Sequence, residues 1–193
     1  KILPKEEQII LEYIKQGGKV MIRVDPITNP DLRLVLNHLG VEMGANLVVD
    51  PERGIRTLFG QRPTWIIPDY KPHPIVNDLS KRNIGIVLVG ARSIERALGD
   101  TRGIMTESFL ATSKEGWGET NLSTTDVQYN KGVDLPGPVS VAIAVTMDAT
   151  VPQGETPPDV LAQPTPTEKK IKALVIGDSD FASNSSLDFP ANT

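Results

Sequence analysis

The twelve residues ALVIGDSDFASN, 173–184, decide how the chain is read. Ala173 to Ile176 form an apolar run of strand length that stops at Gly177, and Asp178, Ser179 and Asp180 follow at once. Polar groups just past the carboxyl end of a buried strand are where open α/β sheets hold ligands. The same residue types also build corners in which Asp and Ser satisfy nearby backbone amides. The stretch therefore predicts a central strand followed by either an active site or a structural turn.

Working outward, the segments alternate in type. LPKEEQIILEYIKQGG, 3–18, predicts a helix with Pro4 in its first turn and Glu6 and Glu7 at its positive end. Ile10, Tyr13 and Ile14 share a face, and Gly17 and Gly18 stop it. KVMIRVDP, 19–26, predicts a strand covered on both sides, because Val20, Ile22 and Val24 alternate while Met21 adds apolar character opposite. NPDLRLVLNHLG, 29–40, predicts a helix capped by Asn29, with Leu32, Val35, Leu36 and Leu39 at helical spacing and Gly40 as the stop. NLVVDP (46–51) and TWIIPDY (64–70) are strand candidates, HPIVNDLSKR (73–82) a short helix, and IGIVLVG (84–90) a buried strand. PGPVSVAIAVTM (136–147) and KALVIGD (172–178) add two more strands. Between them, residues 150–168 carry five prolines without apolar periodicity and predict an exposed surface loop. The pattern implies a mostly parallel, partly mixed sheet with helices on both faces, whose central strands lie near 19–24, 84–89 and 172–177.

Composition narrows the function classes. At 193 residues the chain fits one domain able to bury its own core, so 1–193 is read as a single α/β domain. A net charge of −4, with basic residues scattered, argues against nucleic acid as a partner. The absence of cysteine removes thiol catalysis, thiolate metal sites and disulfides. No apolar run reaches the ~18 residues of a membrane-spanning helix.

Three chemistries bear on the acidic turn. Gly177-Asp178-Ser179 looks like the nucleophile turn of GDS-type esterases, which need a histidine downstream, whereas His38 and His73 both lie upstream. Asp178-Ser179-Asp180 looks like the two-aspartate motif of haloacid dehalogenase-like enzymes, but Ala182 stands where Thr or Val belongs and no lysine follows Lys172. Asp25 and Asp178 both end predicted strands and could converge on a hard cation. Against that, Asp25 before Pro26 is a common turn former, and Asp178 and Asp180 are placed to bond amides of their own turn. No catalytic or metal-ligating set is assigned, and no cofactor. Trp65 reads as core; Trp117, among glycines, reads as packing or as a ring for a sugar face.

Together LPKEEQIILEYIKQGGKVMIRVDP, LNHLGVEM, HPIVNDL, ESFLATSKEGWGETNL, LPGPVSVAIAV and ALVIGDSDFASN occur in an order that resembles auxiliary components of ABC-type transport systems related to the gliding-motility protein GldG. The resemblance implies a flavodoxin-like or glutamine-amidotransferase-like three-layer sandwich, a fold shared with intraflagellar-transport domains. It implies a non-enzymatic domain in the bacterial cell envelope, on the periplasmic side of the inner membrane, held there by segments absent from this chain and accompanying an ABC permease and ATPase. A first strand before residue 3 and a helix after the acidic turn, both usual in the family, are missing here, so the chain is expected to be trimmed at both ends. Ligand-binding candidates are Asp25, Asp178, Ser179, Asp180, Asn184 and Trp117; the alternative function is a carbohydrate- or small-ligand-binding module, and a third is a metal-dependent hydrolase built on the aspartates.

Overall fold

The structure is a computed structural model that describes residues 2–26, 28, 30–57, 60–99, 101–123, 127–148 and 170–184. Its elements run α1 (Pro4–Lys15), β1 (Lys19–Arg23), α2 (Arg33–Leu39), β2 (Val41–Met43), β3 (Leu47–Val49), β4 (Gly54–Thr57), β5 (Gly60–Ile66), β6 (Asp69–Tyr70), α3 (Asn77–Lys81), β7 (Leu88–Val89), β8 (Ile94–Arg96), β9 (Ile104–Ala111), β10 (Trp117–Glu119), β11 (Leu135–Pro136), β12 (Ser140–Asp148) and β13 (Lys170–Ile176). A 3₁₀ turn, Asp180–Ala182, follows. The Pro-rich stretch 150–168 and the expected cap Asn29 lie outside the described residues.

The expected flavodoxin-like or amidotransferase-like parallel sandwich is wrong. Of the described residues, 38% are in strands and 18% in helices, and the strands divide among four sheets. The largest has the order β1-β13-β12-β9-β6, and only its β1–β13 pair is parallel. β12 pairs antiparallel with both β13 and β9, and β6 with β9. An apolar run reports that both faces are covered, not which way its neighbours point, so the sequence pattern suits either pairing.

Two of the three strands expected at the centre are also misplaced. β13 is interior, but β1 forms an edge with Met21 58% exposed, and the run 84–90 contributes only β7. β7 ends a separate sheet of order β4-β5-β7. Gly90, at φ +77°, turns the chain out of that strand. Sheets β11-β10-β3 and β2-β8 complete the set.

Side-chain chemistry explains the helices better than the expected caps do. Pro4 opens α1, and Glu6 accepts the Leu3 N–H at 2.8 Å. Glu7 turns the other way: its buried carboxylate accepts the N–H groups of Leu34 (2.7 Å) and Val35 (3.3 Å), in the first turn of α2. α2 starts at Arg33, later than expected, with an acid from α1 on its positive end. Gly40 terminates it in the left-handed conformation at φ +65°. α1 buries Leu11 and Ile14, while Tyr13, expected on the same face, is exposed.

These two helices cover one face of the main sheet, packing with Ile143, Val145, Ala173 and Val175 in one core. A second core holds Val48, Ile66, Leu88, Phe109, Ala142 and Ile176 and joins the sheets that contain β3 and β7 to the opposite face, while Val41 and Ile94 of β2-β8 pack in the first core.

Candidate functional site

The acidic corner grows directly out of β13. Gly177 donates its N–H to Val141 O (2.9 Å), and its carbonyl accepts the Arg92 N–H (2.8 Å), so the chain is hemmed in on both sides. A Cβ on Gly177 would lie 2.0 Å from the Arg92 carbonyl oxygen. Glycine stands here because another backbone passes too close for any side chain. Ser179, at φ −103° and ψ −20°, has none of the backbone strain of a nucleophile elbow.

The hydrogen bonds show what Asp25 and Asp178 do. Asp25 receives both the N–H (2.6 Å) and the Oγ–H (2.7 Å) of Ser179, one on each carboxylate oxygen. Asp178, with no exposed surface, accepts the Val89 N–H at 2.6 Å on one oxygen and the Asp180 N–H at 2.6 Å on the other. Asp25 thus reaches beyond its own turn to clasp β13 from the chain after β1. Asp178 satisfies its own turn and also ties it to β7 in a different sheet.

The serine hydroxyl is a donor to a carboxylate, with no imidazole in the arrangement. Burial pushes the Asp178 carboxyl up to about 6. The two amide donors oppose that shift, and the negative charges of Asp180 and Asp25 reinforce it.

Sequence reasoning missed Arg92. Its side chain is 2% exposed, and the guanidinium donates to three carbonyl oxygens: Gly44 (2.7 Å), Asp25 (3.1 Å) and Thr28 (3.0 Å). It holds the Asp25 backbone while Asp25 holds Ser179. Burial lowers its pKa, and the Asp25 charge acts against that. Nothing in the spacing of GARSIE marks this arginine as buried; its position one residue past the Gly90-Ala91 turn is the only local hint.

Beside the corner opens a cavity of ≈ 230 Å³, lined by Asp25, Asp180, Gly90, Val89, Leu47 and Leu122 among others. Of the six candidate ligand residues, Asp25 and Asp180 line it, while Asp178 and Ser179 stand behind as the bonded frame. Asn184 follows the 3₁₀ turn, which Ser183 N–H closes on Asp180 O (2.9 Å), and is not among the residues lining the cavity. Among the described residues no group of three or more His, Asp or Glu is arranged to hold a metal ion.

Trp117 belongs to another place. It sits in β10, mostly buried, with its Nε1–H donated to Glu119 at 3.3 Å and its ring 6.2 Å from that of Tyr129. A separate cavity of ≈ 250 Å³ is lined by these two rings with Lys114, Glu115 and Pro136. The preceding residues are a staple: Ser113 donates its N–H (2.7 Å) and Oγ–H (2.9 Å) to the fully buried Asp50, and the Val139 N–H bonds Thr112 Oγ1 (2.8 Å).

Comparison with solved structures finds the mmIFT52 N-terminal domain at a TM-score of 0.55 and 12% identity, over 98% of this chain and 66% of that one. At that identity the likeness is one of fold, and this chain spans just under two thirds of the longer one. No curated protein matches in sequence. Residues 1–192 match the family described as an ABC-type uncharacterized transport system, and the chain belongs to this family of auxiliary transport components.

Proposed function

We propose that the chain is a non-enzymatic binding domain of an ABC-type transport system, working by protein contacts on the periplasmic side of the inner membrane beside a permease and an ATPase. The observation that carries this reading is the use made of the acidic turn. Asp25 and Asp178 place all four carboxylate oxygens on N–H and O–H donors of the fold, so the residues that most resemble catalytic ones serve as joints between strands. A general base must also reach the proton it takes, and Asp178 has no exposed surface while Ser179 holds the Asp25 carboxylate in place.

A small-ligand role is favoured by one feature. The ≈ 230 Å³ cavity combines the Asp25 and Asp180 carboxylates with apolar walls at Leu47 and Leu122, which suits a small polar molecule presenting hydroxyl or amine donors, a sugar among them.

Co-purification of the chain with the permease and ATPase of its own system tests the main reading. A complex that persists when Ser179 is replaced by Ala is the expected result. Failure to associate at micromolar concentration, or ester or phosphoester turnover that Ser179→Ala abolishes, overturns it.

A further inference from the structure

A cavity of ≈ 580 Å³ lies on the main sheet opposite α1 and α2. The register shows how it is built. One row across the sheet reads Met21, Leu174, Ala144, Glu107, and the next reads Lys19, Lys172, Thr146, Met105. The opposite face of the same strands is sealed by the helices, whereas here Met21 is 58% and Ile75 44% exposed.

Ala144 makes the middle of this part of the face low. Met21 and Leu174 wall it on one side, with His73, Pro74 and Ile75 bounding it beyond. A second apolar hollow of ≈ 140 Å³ shares Met21, Ile75 and Leu174 and runs on to Phe181, just past the acidic corner. The larger one is the groove, apolar along its length and basic at one end; the smaller is an internal hollow beneath it, lined by the buried Val76, Leu88 and Phe109. In a chain of net charge −4, Lys19 and Lys172 stand side by side as register partners. Lys170 follows along β13, and Glu107, near the His73 ring, stands in the next row.

We propose that this groove docks an amphipathic helix of a partner protein, apolar on the buried face and acidic at the end that meets Lys19 and Lys172. A strand of five residues such as β1 is ~17 Å long, which three turns of helix, about 11 residues, match. A helix laid in an apolar groove is a common mode of peptide recognition, and the lysine pair fixes which way it points. The proposal rests on the protein-contact reading above and adds where the contact is made and by what.

The chain has no cysteine, so Met21→Cys gives a single attachment point for an environment-sensitive fluorophore at the groove. Two synthetic 14-residue peptides with one shared apolar face, ending in glutamates or in lysines, are titrated against the labelled protein. The glutamate peptide is expected to saturate with a blue shift and bind about tenfold tighter at low salt, the advantage shrinking as salt rises. In the Lys19→Glu, Lys172→Glu double variant the preference should reverse to the lysine peptide, a result that misfolding cannot produce.

Equal affinity for both peptides, binding of neither, or an unchanged preference in the double variant overturns the proposal. So does a fluorophore response that depends on protein concentration alone, which makes the occupant a second copy. Because the peptides read the groove directly, saturable binding with failed permease association rejects the transport-partner reading and keeps the groove.

Discussion

Replacing Asp178 with Ala removes the acceptor for two amides, Val89 N–H and Asp180 N–H, each at 2.6 Å from the carboxylate. Stranding a buried donor costs about 1–3 kcal/mol, so at a pH where the acid is neutral the variant, which strands two, should be destabilised by about 2–6 kcal/mol. The charge works in the other direction. Burial raises the carboxyl from its ordinary 3.8 to about 6, a difference worth about 3 kcal/mol in favour of the protonated form. A group whose folded pKa is raised contributes stability that is complete below the unfolded value and is lost as pH rises through the folded one. The window here is therefore pH 3.8 to about 6. By linkage about 1 kcal/mol is gone at pH 4.5 and about 3 kcal/mol at pH 7.5. The alanine variant has no such dependence. The destabilisation caused by Asp178→Ala should thus shrink by about 2 kcal/mol between pH 4.5 and pH 7.5. Urea unfolding followed by the fluorescence of Trp65 and Trp117, with both proteins measured at each pH, reads this directly. A destabilisation that stays constant, or that grows with pH, would show that the amide donors outweigh burial and would refute the reasoning.

Gly177→Ala should destabilise the domain by about 3 kcal/mol, because the new methyl meets the Arg92 carbonyl at 2.0 Å and one backbone must move. A denaturation midpoint within experimental error of wild type would show that the Arg92 segment gives way freely. Glu7→Ala should cost about 1–2 kcal/mol by uncapping α2, and Glu7→Gln, which keeps an acceptor for Leu34 and Val35, should recover at least half of it. Thermal melts by circular dichroism compare the three proteins, and equal losses in both variants would mean that the charge alone matters.

Much of this was legible in the sequence because it is local. The helix of α1, its proline start and glycine stop, the apolar character of β12 and β13 and the existence of a polar corner after Gly177 all follow from short-range pattern and turn chemistry. Setting aside thiol chemistry needs only an inventory of residue types, and setting aside a GDS-type serine turn needs only the order of His38, His73 and Ser179.

Tertiary structure decided the rest, because the deciding contacts join residues far apart in the chain. Ser179 meets Asp25 across 154 positions and Asp178 meets Val89 across 89, so the reading of Asp25 as a local turn former missed its partner. Glu7 reads as an acid for its own helix, yet it satisfies the amides of α2, 27 and 28 residues on. Hydrophobicity is non-directional, so periodicity told which residues are inside but not whether β12 runs with or against β13. Hydrogen-bonded pairing made that choice and, with it, turned an expected parallel sandwich into a mixed sheet whose face opposite the helices is open only around Met21 and the paired Lys19 and Lys172.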